Sequence, residues 1–393
     1  MAGALDGYRI VDASQMVSGP MATMILADQG ADVVKVEPPV TGDLTRALGA
    51  SRRGLSPSFA IINRNKRSIA IDLKQSRGVE LLKKLVARAD VFVQNFRPDT
   101  AERMGIGERE LRAVKRDLVY VSISGFGEKG PYAHRRVYDP VIQALSGLAD
   151  IQADWETGRP RMMRLIVPDK VTALTAAQAI TAAILARERT GKGQHVRLAM
   201  LDAVIAFLWP EGMARYTFPG AKSSAVRPRS PDLIFETADG YITVGAVSDA
   251  EWKGLATALG HPEWIDDPRF NTPAARVANV KQRLELTARV LRERTSAEWL
   301  ARLEANQVPS APVLSREQVL TDPQVLENRL IVESTHPHAG PMREPRPAAR
   351  FEATPAEIRR AAPLLGEHTD EILAEFGLTS DTIADLRSSG IVA

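Results

Sequence analysis

One acidic side chain in this sequence stands where it could act as a nucleophile. Asp169 follows Pro168 and precedes an Ala-rich segment of about 19 residues with the apolar spacing of a helix. An aspartate at a helix start is most often an N-cap, because its carboxylate accepts hydrogen bonds from the N–H groups of the first turn. The electropositive end of a helix also suits a carboxylate nucleophile. The spacing favours the cap and leaves the second role open.

The helix that would carry Asp169 has clear limits in the sequence. Cations and a glycine, in the run RERTG up to Gly191, are typical of a helix end. The turn GKGQ then leads into an apolar strand, HVRLAM. Apolar side chains recur along the helix roughly once a turn, at Val171, Leu174, Ile180, Ile184 and Leu185.

Strands and helices alternate in the first part of the chain. Short apolar runs predict strands at 8–13, 31–37, 67–72, 90–95 and 118–125. Helical spacing predicts helices between them, at 19–29, 76–89 and 99–115. A strand, a helix and a strand within 30 residues form a βαβ unit, which makes the strands parallel. The pattern predicts an α/β fold with a doubly wound, mostly parallel, Rossmann-like large domain.

Such a domain raises the question of a nucleotide cofactor. The turn after the first strand reads SQMVSGPMA, with one glycine where a GxGxxG loop would have three. The TGKG at 190–193 follows a helix, whereas a phosphate-binding loop opens one. NAD binding and P-loop hydrolysis are therefore disfavoured.

Composition excludes several other classes. The chain of 393 residues contains no cysteine, and its six histidines show no metal-ligand spacing, so we expect no disulfide and no metal site. A net charge of +3 is too small to favour nucleic acid, although it suits a small polyanion held by a few cations. No apolar run reaches the ~18 residues of a membrane span, and Asp6 and Arg9 interrupt any signal peptide. We expect a cytoplasmic protein that contacts no membrane.

The composition changes at 217–232, where Pro, Ser, Gly and basic residues are frequent, and this predicts a linker. Beyond it we expect a hairpin around Asp239-Gly240, then helices and a strand near 311–315, which make a small α+β domain. The predicted domains are a large one at 1–225, a small one at 226–325, and a C-terminal segment at 326–393 that rejoins the large one.

Motifs along nearly the whole chain resemble the class III coenzyme A transferases, the family of formyl-CoA transferase and carnitine CoA-transferase. No single motif is specific for the family, but the whole series of motifs in this order is. They are LDGYRIVDASQMVSGPMA, GADVVKVEPP, GDLTR, NRNKRSIAIDLK, ADVFVQNFRPDTAERMG, VYVSISGFGEKGPY, YDPVIQALSGL, the Asp169 helix, GKGQHVRLAMLDA and, more weakly, ADGYITVGAVSDAEWKGLATALG and LLGEHTDEIL.

The resemblance implies that Asp169 is the family's nucleophile as well as a helix cap. It attacks the thioester of an acyl-CoA and carries the acyl group as a mixed anhydride before an acceptor acid takes over CoA. The helix end should keep its carboxylate ionised. The resemblance also implies an interlocked homodimer, substrates that are acyl-CoA and a small carboxylic acid, and no permanently bound cofactor beyond coenzyme A as substrate.

The resemblance places CoA contacts on a set of residues at the loops that follow strands. These are Val17, Lys74, Asn95, Phe96, Arg97, Arg103, Met104, Arg136 and Tyr138. Four of them have a plainer interpretation. Arg97 and Arg103 could be a solvated helix start, Phe96 could be core, and Asn95 could be a turn residue at a strand end.

The chain departs from the formyl-CoA enzyme at several of its motif positions. Val17 stands where that enzyme has Gln, and Pro38 stands where it has a basic residue. The glycine run that closes over the nucleophile is reduced to Gly245 followed by Ala246 and Val247, which we expect to form a stiffer substrate loop. Formate and oxalate are therefore disfavoured, and a small dicarboxylate such as succinate is our expectation.

Three other functions compete with CoA transfer. An α-methylacyl-CoA racemase shares the fold, but it places a His in the segment equivalent to 136–139, where this chain has none and His134 comes too early. A non-catalytic CoA-binding protein would have no use for Asp169. An NAD-dependent oxidoreductase lacks its glycine fingerprint here.

Overall fold

The computed structural model describes residues 3–220 and 232–393, which divide into two compact units. Within the described residues, the first unit runs to residue 220 and resumes at Arg329, and the second runs from residue 232 to Asn328. Most of the predicted linker at 217–232, including the predicted boundary between residues 225 and 226, lies outside the described residues.

The first unit is built on a six-stranded sheet in which all neighbouring strands are parallel. Its strands are β1 Arg9–Asp12, β2 Asp32–Glu37, β3 Lys66–Ala70, β4 Val91–Gln94, β5 Val119–Ser124 and β6 His195–Ala199. The spatial order β3-β2-β1-β4-β5-β6 is that of dinucleotide-binding sheets. The predicted α/β fold with a parallel sheet is confirmed, with strand ends within about two residues of the prediction.

Nine α-helices accompany these strands in the described part of the first unit up to residue 220. They are α1 Ser18–Asp28, α2 Pro57–Asn63, α3 Ser76–Val86, α4 Thr100–Arg103, α5 Glu108–Val114, α6 Asp139–Leu145, α7 Leu148–Ile151, α8 Val167–Thr190 and α9 Met200–Leu208. The predicted helix 99–115 is wrong in one respect: it is two helices, α4 and α5. Gly105 between them takes a φ of 73°, which breaks the helical path.

Alternate residues of the sheet bury their side chains in two separate cores. Ile10 packs in a core with side chains of α1 and α8, whereas its neighbour Val11 packs in a core with α3 and α5. Successive side chains of a strand point to opposite faces, so a sheet buried on both faces needs continuous apolar strands. The run Val91–Gln94 of β4 is buried throughout for this reason.

The second unit combines a three-stranded antiparallel sheet with helices. Its elements are β7 Ile234–Glu236, β8 Tyr241–Val244, β9 Ser310–Pro312, α10 Asp249–Leu259, α11 Pro273–Ala278, α12 Val280–Leu291, α13 Ser296–Ala305, α14 Arg316–Val319 and α15 Pro323–Glu327. The predicted hairpin around Asp239-Gly240 is confirmed by the antiparallel pairing of β7 with β8.

The C-terminal segment contains a second hairpin that the sequence analysis did not predict. Strands β10 Ile331–His336 and β11 Gly340–Pro345 pair antiparallel, and helices α16 Thr369–Glu375 and α17 Ser380–Ser388 follow. Prolines in the segment disguise β11 in the sequence, but the pair forms a sheet of only two strands, whose edges tolerate proline. Ile372 and Leu373 of α16 are buried in the core that also contains Val11.

Two buried ion pairs fix the position of the loop between β1 and α1. Lys66 Nζ lies 2.9 Å from Asp12 Oδ2, and Lys35 Nζ lies 2.9 Å from Asp43 Oδ2, with all four side chains fully buried. Lys35 also donates to the carbonyl oxygen of Ser14 at 2.9 Å, and Lys66 donates to that of Pro20 at 2.8 Å. Both ends of the loop are therefore attached to the same charged cluster.

Burial lowers the pKa of Lys66 to about 8, against the opposing attraction of Asp12. Burial also opposes the charge of Lys35, but Asp43, Asp12 and Glu37 together raise the pKa of that lysine. The same lysines and the hydroxyls of Ser14 and Thr23 lower the pKa of Asp12 despite its burial.

Among the described residues, we find no helix with the length and apolar character needed to cross a bilayer.

Replacing Lys66 by Met should destabilise the protein strongly, because the carboxylate of Asp12 would stay buried after losing its main partner. We expect the free energy of unfolding at pH 7 to fall by about 3–5 kcal/mol. Urea unfolding followed by circular dichroism measures the change. The control Lys83→Met removes a lysine whose partner, Glu80, is largely exposed, and should cost at most about 1 kcal/mol. Equal effects of the two substitutions would contradict the buried pair's role.

Candidate active site

Asp169 is the third residue of helix α8, and it is not the helix cap. The helix has 24 residues and begins at Val167, its N-cap is Ile166 with no side-chain cap hydrogen bond, and Pro168 occupies the first turn. The predicted cap at Asp169 is therefore wrong, because the N-cap, Ile166, lies three residues earlier than the sequence indicated. The predicted end is confirmed, with Gly191 in the left-handed conformation at φ 68°.

The carboxylate of Asp169 is held by the start of a second helix. Ser18 Oγ donates a hydrogen bond of 2.5 Å to Asp169 Oδ1, and the backbone N–H of Ser18 also interacts with this carboxyl group. Ser18 is the first residue of α1, which packs against α8. The N-termini of two helices thus lie at one carboxylate, where their dipoles favour negative charge.

A second carboxylate lies beside the first. Asp139, the buried first residue of α6, accepts a 3.2 Å hydrogen bond from the backbone N–H of Asp169 at its Oδ2. Its Oδ1 accepts a 2.6 Å hydrogen bond from Gln143 Nε2, and Gln143 Oε1 accepts one from the N–H of Met163 at 2.9 Å. This chain of bonds fixes the segment that leads into α8.

These neighbours act on the pKa of Asp169 in opposite directions. Burial raises the pKa, the hydrogen bond from Ser18 lowers it, and the charge of Asp139 raises it again. The net direction is upward from the ordinary value of an aspartate. The helix end alone would lower the pKa, but burial and Asp139 work against ionisation and outweigh it. A carboxylate that is poorly solvated in this way is also a more reactive nucleophile.

The loops after β1 and β4 are joined at the carboxyl edge of the sheet. The side-chain amide of Asn95 accepts from the N–H of Gln15 at 2.8 Å and donates to the carbonyl oxygen of Gln15 at 2.6 Å. Strand order reverses between β1 and β4, and ligands of open α/β sheets bind at such a switch point. Val17 lies in the same loop, directly before Ser18, so these residues and Asp169 form one region.

The predicted cationic residues project to solvent around this region. The side chains of Lys74, Arg97, Arg103 and Arg136 are exposed. Tyr138, directly before Asp139, is 63% exposed. An exposed contact of 3.8 Å between His134 Nδ1 and Asp99 Oδ2 brings the segment before Tyr138 towards the loop after β4. Such an arrangement of cations around a switch point suits a phosphorylated ligand.

Two of the residues that the resemblance assigns to CoA contacts also pack against the core. Phe96 and Met104 are partly buried and pack against the core that contains Val11. The plainer interpretation of Phe96 as core is supported, although both side chains retain exposed surface.

Gly245 and Ala246 belong to the second unit, where they follow β8. The N–H of Gly245 donates to the carbonyl oxygen of Pro309 at 3.2 Å, and Ala246 packs against the core of that unit. A Cβ at Gly245 would meet nothing within 4 Å, so no close approach within this chain requires a glycine there.

A cavity of about 560 Å³ opens at the carboxyl ends of β5 and β6, on the far side of the sheet order from β3. Its lining includes Ser124, Lys129 and Arg197, and it does not include Asp169. Asp169 stays the candidate for the active site, because the hydrogen bonds and the helix ends converge there. In the described part of the chain, no three His, Asp or Glu side chains gather as a metal site would require.

Ser18 and Asp139 are the two functional candidates that sequence reasoning did not single out. Ser18 stands inside the quoted motif SQMVSGPMA, and Asp139 stands inside YDPVIQALSGL. No local pattern marks either residue, because each acquires its significance from a contact with a helix distant in sequence.

A carboxylate at two helix starts, beside the switch point of a parallel sheet whose neighbouring segments carry exposed cations, suits an enzyme with a phosphorylated ligand. Comparison with known proteins gives the family. The sequence pattern of CoA-transferase family III matches residues 5–369. The chain belongs to this family, the class III CoA-transferases, which move CoA between acyl-CoA thioesters and carboxylic acids.

Individual relatives are similar over nearly their whole length. Succinyl-CoA:glutarate CoA-transferase of Homo sapiens is 36% identical over 395 residues, which cover 99% of this chain and 90% of that protein. Formyl-CoA:oxalate CoA-transferase of Streptomyces avermitilis is 34% identical over 416 residues and covers 100% of both. The crystal structure of Rv3272 from Mycobacterium tuberculosis has a TM-score of 0.83 at 30% identity, covering 94% of this chain and 99% of that one.

Removing the charge of Asp139 should lower the pKa of Asp169, because the charge is one of the causes that raise it. In Asp139→Asn we therefore expect the ¹³C carboxyl signal of Asp169 to titrate at lower pH than in the wild type. Loss of that signal in Asp169→Asn assigns it. Asp150→Asn, at an exposed position on α7, is the control and should leave the midpoint in place. An unchanged midpoint in Asp139→Asn would show that the two carboxylates are not coupled.

Proposed function

We propose that this enzyme transfers CoA through a covalent anhydride on Asp169, and that its acids are small dicarboxylates. The observation that carries the proposal is the unequal hydrogen bonding of the two carboxylate oxygens of Asp169. Oδ1 is bonded to Ser18, and no side chain of the described residues donates a hydrogen bond to Oδ2. One oxygen is thus restrained while the other can attack.

The chemistry balances as an exchange of one thioester for another. Oδ2 attacks the thioester carbon of the donor acyl-CoA, the carbon–sulfur bond breaks, and the electron pair leaves on the CoA thiolate. The acyl group then sits on Asp169 as a mixed anhydride, which retains the energy of the thioester. CoA thiolate attacks the aspartyl carbonyl carbon, and the bond from that carbon to Oδ2 breaks, so the donor acid leaves as its carboxylate and an aspartyl-CoA thioester remains. A carboxylate oxygen of the acceptor acid attacks the same carbon and expels CoA thiolate, which gives a second mixed anhydride. CoA thiolate then attacks the acyl carbon of the acceptor, and the carboxylate of Asp169 leaves, which yields the new acyl-CoA. No oxidant, metal or water is consumed.

The loops around Asp169 offer sites for the phosphates of CoA. Exposed cations at Lys74, Arg97, Arg103 and Arg136 would bind them, because charge-assisted hydrogen bonds from Arg suit phosphate oxygens. Val17, Asn95, Phe96, Met104 and Tyr138 complete the proposed CoA site. Of these, Tyr138 has the largest exposed ring, available for stacking on a base. Gly245 and Ala246 are the proposed substrate loop.

The acids of the named relatives support a small dicarboxylate as substrate. The human relative is named for succinyl-CoA and glutarate, and the Streptomyces relative for formyl-CoA and oxalate. Val17 and the sequence Gly245-Ala246-Val247 depart from the formyl-CoA enzyme, which favours succinate or a close relative of it here. A cation near Val17 would hold the second carboxylate.

We further propose a homodimer whose chains interlock, with the domains 1–225, 226–325 and 326–393 and a cytoplasmic location. Exposed apolar side chains support a covered surface. Leu174 and Leu185 on α8 are 56% and 51% exposed, and Phe207 on α9 is 58% exposed. Such side chains, repeated along one region, are typical of an interface.

Asp169→Asn should abolish CoA transfer while acyl-CoA still binds, because the amide cannot form the anhydride. We expect the rate to fall by more than about 1,000-fold. Wild-type enzyme is mixed with succinyl-CoA and quenched with borohydride or hydroxylamine, and mass spectrometry of its peptides measures the modification of Asp169. A set of donor thioesters paired with glutarate, oxalate and other acids, run in parallel, identifies the substrates.

Asp150→Asn is the matched control and should turn over and label as the wild type does. If the wild type transfers CoA with some pair and Asp169 never becomes labelled, the covalent role of Asp169 is wrong. Formation of a racemised 2-methylacyl-CoA in place of transfer would instead favour the racemase.

Replacing Arg97 and Arg103 together by Ala should raise KM for the acyl-CoA by roughly 10-fold or more and leave kcat nearly unchanged, because uniform binding contacts would be lost. The KM of the wild type should rise with salt, and that of the double variant should rise less steeply. Arg109→Ala, an exposed arginine on α5 outside the proposed site, serves as control. A normal KM in the double variant would remove these residues from the site.

A further inference from the structure

We infer that the hydroxyl of Ser18 is a catalytic hydrogen-bond donor that gives the two oxygens of Asp169 different tasks. This inference rests on the proposed nucleophilic role of Asp169. It assigns Oδ2 to attack on the thioester and Oδ1 to carry negative charge when the aspartyl group is itself attacked.

The geometry of Ser18 suits a donor that does not move. Ser18 is 3% exposed, and its Oγ lies 2.5 Å from Asp169 Oδ1, a distance typical of a hydroxyl bonded to an ionised oxygen. A hydroxyl so enclosed has little access to water as an alternative partner. Its proton therefore stays directed at Oδ1 without reorganisation during the reaction.

The backbone that carries Ser18 is fixed on both sides. Before it, Met16 takes a φ of 68°, uncommon for a residue with a side chain, and its N–H donates to Asp43 Oδ1 at 3.2 Å. After it, a Cβ on Gly19 would lie 2.2 Å from Ser14 Oγ, so only glycine fits there. Pro20 is bound through its carbonyl oxygen to Lys66. The buried charges thus position the hydroxyl through the loop.

The restraint has a consequence for the first step. A hydrogen bond at Oδ1 draws electron density to that oxygen and occupies a lone pair, so Oδ2 is the freer nucleophile. When Oδ2 forms its bond to the acyl carbon, Oδ1 becomes the carbonyl oxygen of the anhydride and still accepts from Ser18.

The same hydroxyl is then in place for the next step. If CoA thiolate attacks the aspartyl carbonyl carbon, a sulfur–carbon bond forms and an electron pair moves to Oδ1. The hydroxyl of Ser18 would donate to that oxyanion. Collapse of the intermediate breaks the bond from the aspartyl carbon to the anhydride oxygen, and the donor acid leaves as its carboxylate. Donors held at a developing oxyanion are worth roughly 100-fold or more in rate each.

Ser18→Ala tests the inference through the pH profile as well as the rate. The hydrogen bond from Ser18 is one of the causes that lower the pKa of Asp169. Without it the pKa rises, and because the carboxylate is the reactive form, the acidic limb of kcat/KM should move to higher pH. On the plateau we expect kcat to fall on the order of 100-fold, with KM for acyl-CoA changed by less than about 3-fold.

Two variants keep this test conclusive. Ser18→Thr retains the hydroxyl and should recover most of the rate and the wild-type limb. Ser18→Cys keeps the volume with a weaker donor and should lie between Ala and wild type, and it replaces Ser18→Ala if that variant does not fold. A lower kcat with an unmoved acidic limb would overturn the inference, as would a wild-type rate in Ser18→Ala.

The labelling of Asp169 separates this inference from the proposed function. If wild-type enzyme carries no acyl group on Asp169 after mixing with a substrate thioester, the proposed function fails, and the inference fails with it. If the wild type is labelled and Ser18→Ala is labelled at the same rate and with the same pH dependence, only the role of Ser18 is wrong.

Discussion

The pairing of Lys66 with Asp12, and of Lys35 with Asp43, is the interaction on which the active site depends. Four fully buried charges would be prohibitive alone, and they are tolerated here because each lies 2.9 Å from an opposite charge. Both lysines also donate hydrogen bonds to carbonyl oxygens, Lys35 to that of Ser14 in the loop before α1 and Lys66 to that of Pro20 in the first turn of α1. Moving that loop would leave a buried charge without its hydrogen bonds, so Ser18, the first residue of α1, has a defined position.

Cations serve two separate purposes in this fold. Those under the sheet edge are enclosed and paired, and their role is to hold backbone. Those at the rim, such as Arg97 and Arg136, are exposed. An exposed cation gains little from a neighbouring carboxylate within the protein, but it remains available to a phosphate that arrives with a ligand. Burial thus distinguishes structural cations from those that are available to a ligand, where residue type does not.

The reactivity of Asp169 follows from a balance that no single neighbour sets. Burial and the nearby Asp139 disfavour its charge, while Ser18 and two helix ends favour it. A carboxylate stabilised by every neighbour would be too weak a nucleophile, and one destabilised by every neighbour would be protonated. Membership of CoA-transferase family III is consistent with this balance. In the proposed mechanism the carboxylate both attacks a thioester and leaves from an anhydride.

Local pattern in the sequence predicted the parallel α/β sheet and most helices, because apolar periodicity is a property of neighbouring residues. It left the role of Asp169 open, and only the order of motifs along the whole chain made this residue the candidate nucleophile. It misplaced the start of α8 by three residues, joined α4 to α5 and missed the strand pair β10–β11, because prolines are uncommon in strands. Only the tertiary structure decided the partner of Asp169. Ser18 stands 151 residues away in sequence, and packing of α1 against α8 brings the two side chains together. Contacts over such separations depend on how whole elements pack, which residue spacing does not encode.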